Sequence, residues 1–304
     1  NNTIFGNLVQ YHSSFGIRVS ESLNTTVEQN AIYHNKNSGV WGQSLEGTII
    51  QNNTLINNTD GIFLDVAPWT TIAGNQILNN TARGINLGFG FFGLCHNSQI
   101  MDNTVLNNSL DQLYLQSSNN VNISSNRFEG AKNIASIDYQ GIYLSGVCDE
   151  LTICNNSIKF NQVGIHFGLD KSCYALIANN TLSNNLFGVR STISFQGDQC
   201  GGLWYSNITG NQFISPSNFK FFGCWSNLSY NYFSEGSLRL ESCGNNTIYC
   251  NIFMNGTYGI ELVNSNNNTI QYNSLNSHNQ LGISLSNEQS NLIQNTTVDR
   301  KSIV

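Results

Sequence analysis

Only 18 carboxylates are spread over 304 residues, and 10% of the chain is charged, so acid–base chemistry has few places to come from. Three candidates share one rhythm. Asp60, Arg83 and Asp111 fall at corresponding points of successive repeats, just before the last apolar stretch of each. Stacked on neighbouring coils they would make an acid–base–acid column. Such a column serves one of two ends: acids clustered to hold a calcium ion with a basic residue nearby, as lyase chemistry would need, or an ion-pair ladder that keeps like charges apart. No residue is assigned as catalytic from the sequence; any enzyme reading would rest on these three.

Cysteine is the second reactive type, with eight in the chain. Cys95, Cys148, Cys173, Cys224 and Cys243 each precede a recurring Asn by seven or eight residues, which predicts one shared column. Neighbouring coils lie within the roughly 4.4 to 6.8 Å that a bridge spans, so Cys148–Cys173 and Cys224–Cys243 are the expected disulfides, in oxidising surroundings. Cys95, Cys154, Cys200 and Cys250 remain without an assigned partner. No CxxC pair or convergent Cys/His spacing is present, so no metal site and no cofactor are expected.

The elements that must position these residues are set by a short pattern running from end to end: aliphatic, two variable residues, Asn, one variable residue, apolar. Its Asn falls at Asn7, Asn30, Asn53, Asn75, Asn103, Asn126, Asn156, Asn180, Asn211, Asn231, Asn251, Asn273 and Asn295, a spacing of roughly 20 to 31 residues. The aliphatic position, from Ile4 to Leu292, predicts an inward column. Each copy carries three short stretches with period-two alternation and many β-branched residues, which is strand behaviour. Asn and Gly punctuate the corners because both accept left-handed backbone. Asn makes up about one residue in six. Stacked coils would place these amides in ladders, each donating to one neighbour and accepting from the other. The expected fold is all-β: one domain over residues 1–304, a solenoid of about thirteen coils with three short strands each.

Those repeats resemble the right-handed parallel β-helix superfamily, the pectate-lyase-like group, and in particular its NosD-like short repeats. The resemblance covers essentially the whole chain. Proteins of this kind are found among secreted polysaccharide enzymes and among surface proteins, notably archaeal surface layers. It implies the fold and not an activity. The stretch NTDGI, Asn58 to Ile62, is similar to one polygalacturonase motif, which would give Asp60 a part in acid catalysis. The paired Asp-Asp, Gly-His-Gly and Arg-Ile-Lys motifs of that family are missing.

A further column is predicted on the outward side of the third strand: Arg18, Trp41, Phe63, Asn86, Tyr114, Tyr143, His166, Arg190, Arg239, Glu261 and Ser284. Aromatic rings interleaved with Arg form a stripe for sugar rings or for another subunit, or follow simply from strand propensity. Insertions interrupt the repeat at 88–95, 130–139 and 192–205. Asn-x-Ser/Thr sequons abound, and those at Asn24, Asn207, Asn245 and Asn267 fall in turns, where glycans would attach. A net charge of −6 without a basic cluster excludes nucleic acid as an expected partner. No apolar run is long enough to span a bilayer. The first residues are already in phase with the repeat, so no signal peptide is expected, and neither end reads as capped.

Together these features predict an extracellular, disulfide-bearing structural glycoprotein: a subunit of a cell-surface layer, sheath or fibre that self-associates end to end and laterally. The alternatives are a polysaccharide lyase, hydrolase or epimerase, and a non-catalytic glycan-binding adhesin; whether the chain is an enzyme stays open, with the balance toward none.

Overall fold

The computed structural model describes residues 1–88, 94–131, 139–168, 170–192, 202–214 and 217–299. The chain is an all-β, right-handed parallel β-helix of twelve to thirteen turns. Strands at the same place in successive turns form three parallel sheets. One turn shows the plan: a first strand Thr26–Glu28, a second Ala31–Tyr33 and a third Val40–Glu46. The two short strands are three residues long, so one side chain points inward and its neighbours outward, giving the alternation read in the sequence.

The turns fall into two compact units, Asn1–Thr152 and Ile153–Val304. In the first, the inward column of the first sheet runs Ile4, Val27, Ile50, Ile72, Ile100 and Ile123 in strict register. Its second sheet stacks Ile32, Leu55, Ile77, Val105 and Phe128. The second unit fills the equivalent space with rings: Phe213, Phe233 and Phe253 lie parallel at centroid separations of 4.5 Å. Complete burial of such side chains stabilises each coil by about 2 kcal/mol per residue.

Asn ladders hold the first corner. Asn53 Nδ2 donates to Asn75 Oδ1 at 3.0 Å and to the carbonyl of Val27 at 2.8 Å, while Asn53 Oδ1 accepts from Asn30. The same links connect Asn180, Asn211, Asn231, Asn251 and Asn273 in the second unit. Every amide bond capacity is used inside the wall, which is why Asn recurs there. A second ladder, five residues on, joins Asn35, Asn58, Asn80 and Asn108.

The last turn corrects the sequence alignment. Ile293, not Leu292, is in register with Ile270, and Thr296 takes the ladder place, its Oγ1 accepting from the Asn273 amide. Asn295 is one residue early, exposed and left-handed at φ 50°. The segment QNTT offered an Asn next to the true position, and the pattern followed the residue type.

Candidate functional site

The third sheet of the first unit positions the candidate residues. Gly61 leads into the strand Ile62–Asp65, at a place where a Cβ would stand 2.4 Å from Ile77 Cγ2 and 2.6 Å from the Gly84 carbonyl. That close approach fixes the residue before it, Asp60, above the matching residues of the next turns. Asp60 Oδ1 accepts from the Arg83 amide at 2.9 Å. Arg83 Nε donates to Asp111 Oδ2 at 3.2 Å, and Asp111 Oδ1 accepts from the Gln140 amide at 3.2 Å. The structure thus brings together the acid, base and acid that the sequence spacing aligned.

Both carboxylates are buried, at 9% and 5% exposure. Burial pushes the Asp60 carboxyl above its ordinary range, opposed by the Arg83 amide and by the Asn86 side chain. Asp111 is also raised by burial, opposed mainly by the Arg83 guanidinium. Desolvation of the charged form outweighs the attraction of one cation shared by two acids.

Next to this stack, the outward column of the third sheet runs Arg18, Trp41, Phe63, Asn86, Tyr114 and Tyr143 in register. The Arg83 guanidinium lies over the Tyr114 ring at 3.9 Å, and Tyr114 meets Tyr143 edge-on at 5.5 Å. Arg18 lies over Trp41 at 4.9 Å. The column is not a flat exposed stripe: Asn86 and Tyr114 are buried, Trp41, Phe63 and Tyr143 are half-buried, and only Arg18 is fully exposed. Asn86 is a polar residue with its Oδ1 buried and without a hydrogen-bond partner, a costly arrangement unless something supplies a donor. Burial raises the Tyr143 phenol above its usual range.

In the second unit the corresponding column is His166, Arg190, Lys220, Arg239, Glu261 and Ser284. The sequence reading missed Lys220, because its strand, Asn218–Phe221, lacks the Gly-like start used to find the others. Lys220 and Arg239 both pair with Glu241, and Arg239 reaches Glu261 at 3.0 Å. It is an ion-pair ladder rather than an aromatic stripe.

The expected single cysteine column is two. Cys95, Cys148 and Cys243, eight residues before the ladder Asn, are buried; Cys173 and Cys224, seven before it, are half-buried. Neighbouring residues face opposite ways, so one step of offset changes the side. Cys243 Sγ donates to the Phe221 carbonyl at 3.0 Å and accepts from the Gly223 amide, while Cys224 Sγ accepts from the Gly244 amide. No disulfide joins the described cysteines; Cys154 and Cys250 are half-buried. Cys200 lies outside the described residues, as do most of the three insertions with Phe89, Phe91, Phe92 and Phe195. The expected glycan acceptors Asn24, Asn207, Asn245 and Asn267 are all exposed, but Asn207 opens the strand Asn207–Thr209 rather than lying in a turn.

Of the corner aromatics, sequence reasoning singles out only Tyr205, as a contact residue at the end of the 192–205 insertion, and misses the others. Tyr174, Tyr205, Trp225, Tyr230 and Tyr272 are exposed and left-handed, at φ 49° to 60°. The signal was available: the first three each stand six residues before a ladder Asn.

Among solved structures, the Dettilon tailspike protein gp208 aligns over 95% of this chain with a TM-score of 0.55 and 15% identity. The chain spans 61% of that protein's length. The periplasmic alginate epimerase AlgG aligns over 97% of this chain and 77% of its own, TM-score 0.52, 13% identity. PfbA, a surface adhesin of Streptococcus pneumoniae, aligns over 98% and 85%, TM-score 0.56, 11% identity. Likeness at these identities shows the fold alone. No curated protein matches the chain in sequence. The family model of the periplasmic copper-binding protein NosD matches over residues 1–134 and 88–219. The donors do not fit copper as that description implies: among the described residues no three His, Cys, Asp or Glu side chains converge, and Cys243 is already bonded to backbone groups. Matching repeats over residues 1–219, on a coil of parallel strands with Asn ladders, make this chain a member of the NosD family.

Proposed function

We propose that this chain is a glycan-binding β-helix that works outside the cytoplasm, and that a sugar engages the outward face of the third sheet in the first unit. The supporting observation is the run of half-buried rings in the outward column, Trp41, Phe63 and Tyr143, with Tyr143 edge-on to Tyr114. A pyranose offers an apolar ring face to such side chains. Two carboxylates around one guanidinium, in a chain of net charge −6, disfavour a polyanionic glycan, so the ligand is uncharged. The proteins of like fold include a tailspike, an alginate epimerase and a surface adhesin, and the family description is periplasmic. These support the compartment and a glycan as the broad ligand class; the choice of an uncharged one rests on the two carboxylates and the net charge.

Binding rather than turnover fits the carboxylates, which are buried and held by Arg83 and Gln140. A second reading, a surface-layer, sheath or fibre subunit assembling end to end and laterally, is favoured by the exposed corner residue Trp69, which suits contact between copies. Native electrophoresis through gels containing a neutral or an acidic polysaccharide separates the two. Retardation by a neutral glycan, weakened at least about tenfold in Tyr143→Ala, without release of sugar ends, supports binding. Filaments by electron microscopy with no retardation would sink it in favour of the subunit.

A further inference from the structure

We infer that the outward face of the first sheet in the second unit is a separate binding platform for an uncharged glycan chain lying along the coil axis. The inference deepens the carbohydrate reading, but it stands on different residues in a different unit.

The platform has two aromatic borders and a polar floor. Before the first strand, Tyr174, Tyr205 and Trp225 occupy the same corner of three successive turns. Tyr174 and Tyr205 stack at 5.6 Å, and Tyr205 and Trp225 at 5.4 Å with planes 13° apart. After the first strand, Tyr230 and Tyr272 sit on the next corner with Tyr249 between them, at 5.8 and 5.5 Å. Trp225 and Tyr230 bracket one strand, Asn227–Ser229, so the borders stand no more than about 17 Å apart.

The floor is the outward row of that sheet: Asn207, Asn227, Thr247 and Thr269 in one register column, Thr209, Ser229, Tyr249 and Gln271 in the other. None is charged. Asn227 Nδ2 donates to Asn207 Oδ1 at 3.3 Å, and Ser229 and Thr209 share a hydroxyl contact at 3.3 Å. Amides and hydroxyls at coil spacing, about 4.8 Å apart, present a repeating set of donors and acceptors. An uncharged chain of hydroxyl-bearing rings matches this surface in polarity; a polyanion finds no cation, and an apolar peptide finds the wrong floor.

Backbone conformation argues that these rings serve more than the fold. At the same corners of other turns the chain uses mostly Asn or Gly, as at Asn245, Asn267 and Gly210, the residues that take left-handed backbone with least strain, with Trp69, Glu150, Gln29 and Cys250 among the departures. A bulky aromatic there is an outlier. Tyr174, Tyr205 and Trp225 leave 62%, 44% and 48% of their surface in water, so core packing does not compensate for that strain. What the rings gain is contact with one another at the solvent boundary, and a stacked aromatic row left in water marks a surface that something else contacts.

The test uses the full chain and the double variant Tyr205→Asn/Trp225→Asn, which keeps the residue type used at Asn245. Native gels containing hydroxyethylcellulose, laminarin or galactomannan are compared with alginate gels. Expected is retardation by at least one neutral polysaccharide and none by alginate. The double variant should need at least about tenfold more polysaccharide for half retardation, with a thermal midpoint equal to or above that of the parent. Several results would overturn the platform. Retardation unaffected by the double variant but lost in Tyr143→Ala leaves the first site standing and removes this one. No retardation by any neutral polysaccharide removes both. A shift in sedimentation between parent and variant, without a change in retardation, assigns the rings to contact between copies. Glycopeptides carrying sugar on Asn207 or Asn227 assign the face to the chain's own glycan.

Discussion

Arg83 donates through Nε to Asp111 one turn away at 3.2 Å, while its own amide holds Asp60 on the turn before. One residue therefore satisfies two buried acids by different groups, main chain and side chain. Its ring contact with Tyr114 couples the acid stack to the aromatic column, so the guanidinium is the hinge between the ladder and the proposed sugar surface.

Removing that guanidinium leaves Asp111 buried without its cation. Arg83→Met is expected to destabilise the first unit by about 3 kcal/mol near pH 8, read as a lower urea midpoint. Burial raises both Asp60 and Asp111 above 3.8 in the folded chain. The sign follows: the folded state holds more protons than the unfolded one, so their contribution is fully present below 3.8 and is lost as pH rises through the folded values. The deficit of Arg83→Met should therefore shrink toward pH 4. A deficit that is constant from pH 4 to 8 would show that lost packing, not charge, causes it.

His278 gives the opposite slope. It occupies the second ladder position of its turn, five residues after Asn273, where turns of the first unit carry Asn35, Asn58, Asn80 and Asn108 and the two preceding turns carry Gly236 and Gly256. The ring is buried, and contact with the Gly256 backbone offsets that burial only in part. A Cβ on Gly259 would lie 3.0 Å from Nε2 and one on Gly256 3.4 Å from Nδ1, so the two glycines make its space. Burial lowers its pKa below 6.5. Its neutral form is the folded one, and the associated stability is present above 6.5 and lost as pH falls through the folded value, about 1.4 kcal/mol for each unit of depression. His278→Asn should flatten the fall in thermal midpoint between pH 7.5 and 5. Equal falls in parent and variant would assign the acid sensitivity elsewhere.

Thiol labelling reads the two cysteine sides directly. Cys243 and Cys95 are buried, and burial pushes both thiols up, Cys95 to about 12. The thiolate is the reactive form. In native, reduced protein, maleimide should modify the half-buried Cys250 at least about a hundredfold faster than Cys95 or Cys243, followed by mass spectrometry of peptides. Comparable rates for all three would mean the buried side of the coil opens readily.

Much of this was legible in the residues because a coil repeats its own geometry. The inward column, three strands per turn and the Asp60–Arg83–Asp111 alignment follow from counting relative to one Asn. What counting could not supply is the face that a residue one step away adopts. Cys224 and Cys243 differ by a single offset and lie on different sides of the wall, and Asn295 lies one residue before the true ladder position. Exposure was also unreadable: Tyr114 and Trp225 are both aromatic at repeat positions, yet one is buried over a guanidinium and the other stands in water on a left-handed corner.

Asn75 and Asn295 test that distinction between type and place. Asn75 Nδ2 donates to the Ile50 carbonyl at 2.8 Å and to Asn103 Oδ1 at 3.0 Å, and its Oδ1 accepts from the Asn53 amide at 2.9 Å. Asn75→Ala leaves these buried groups without partners, and each such loss costs about 1 to 3 kcal/mol. A total of at least about 3 kcal/mol is expected in urea unfolding of the first unit. Asn295 belongs to no ladder and is exposed, so Asn295→Gly, which keeps its left-handed backbone, should change stability by no more than about 0.5 kcal/mol. The reverse order, with Asn295→Gly the more damaging, would restore Asn295 to the ladder and return Thr296 to the corner.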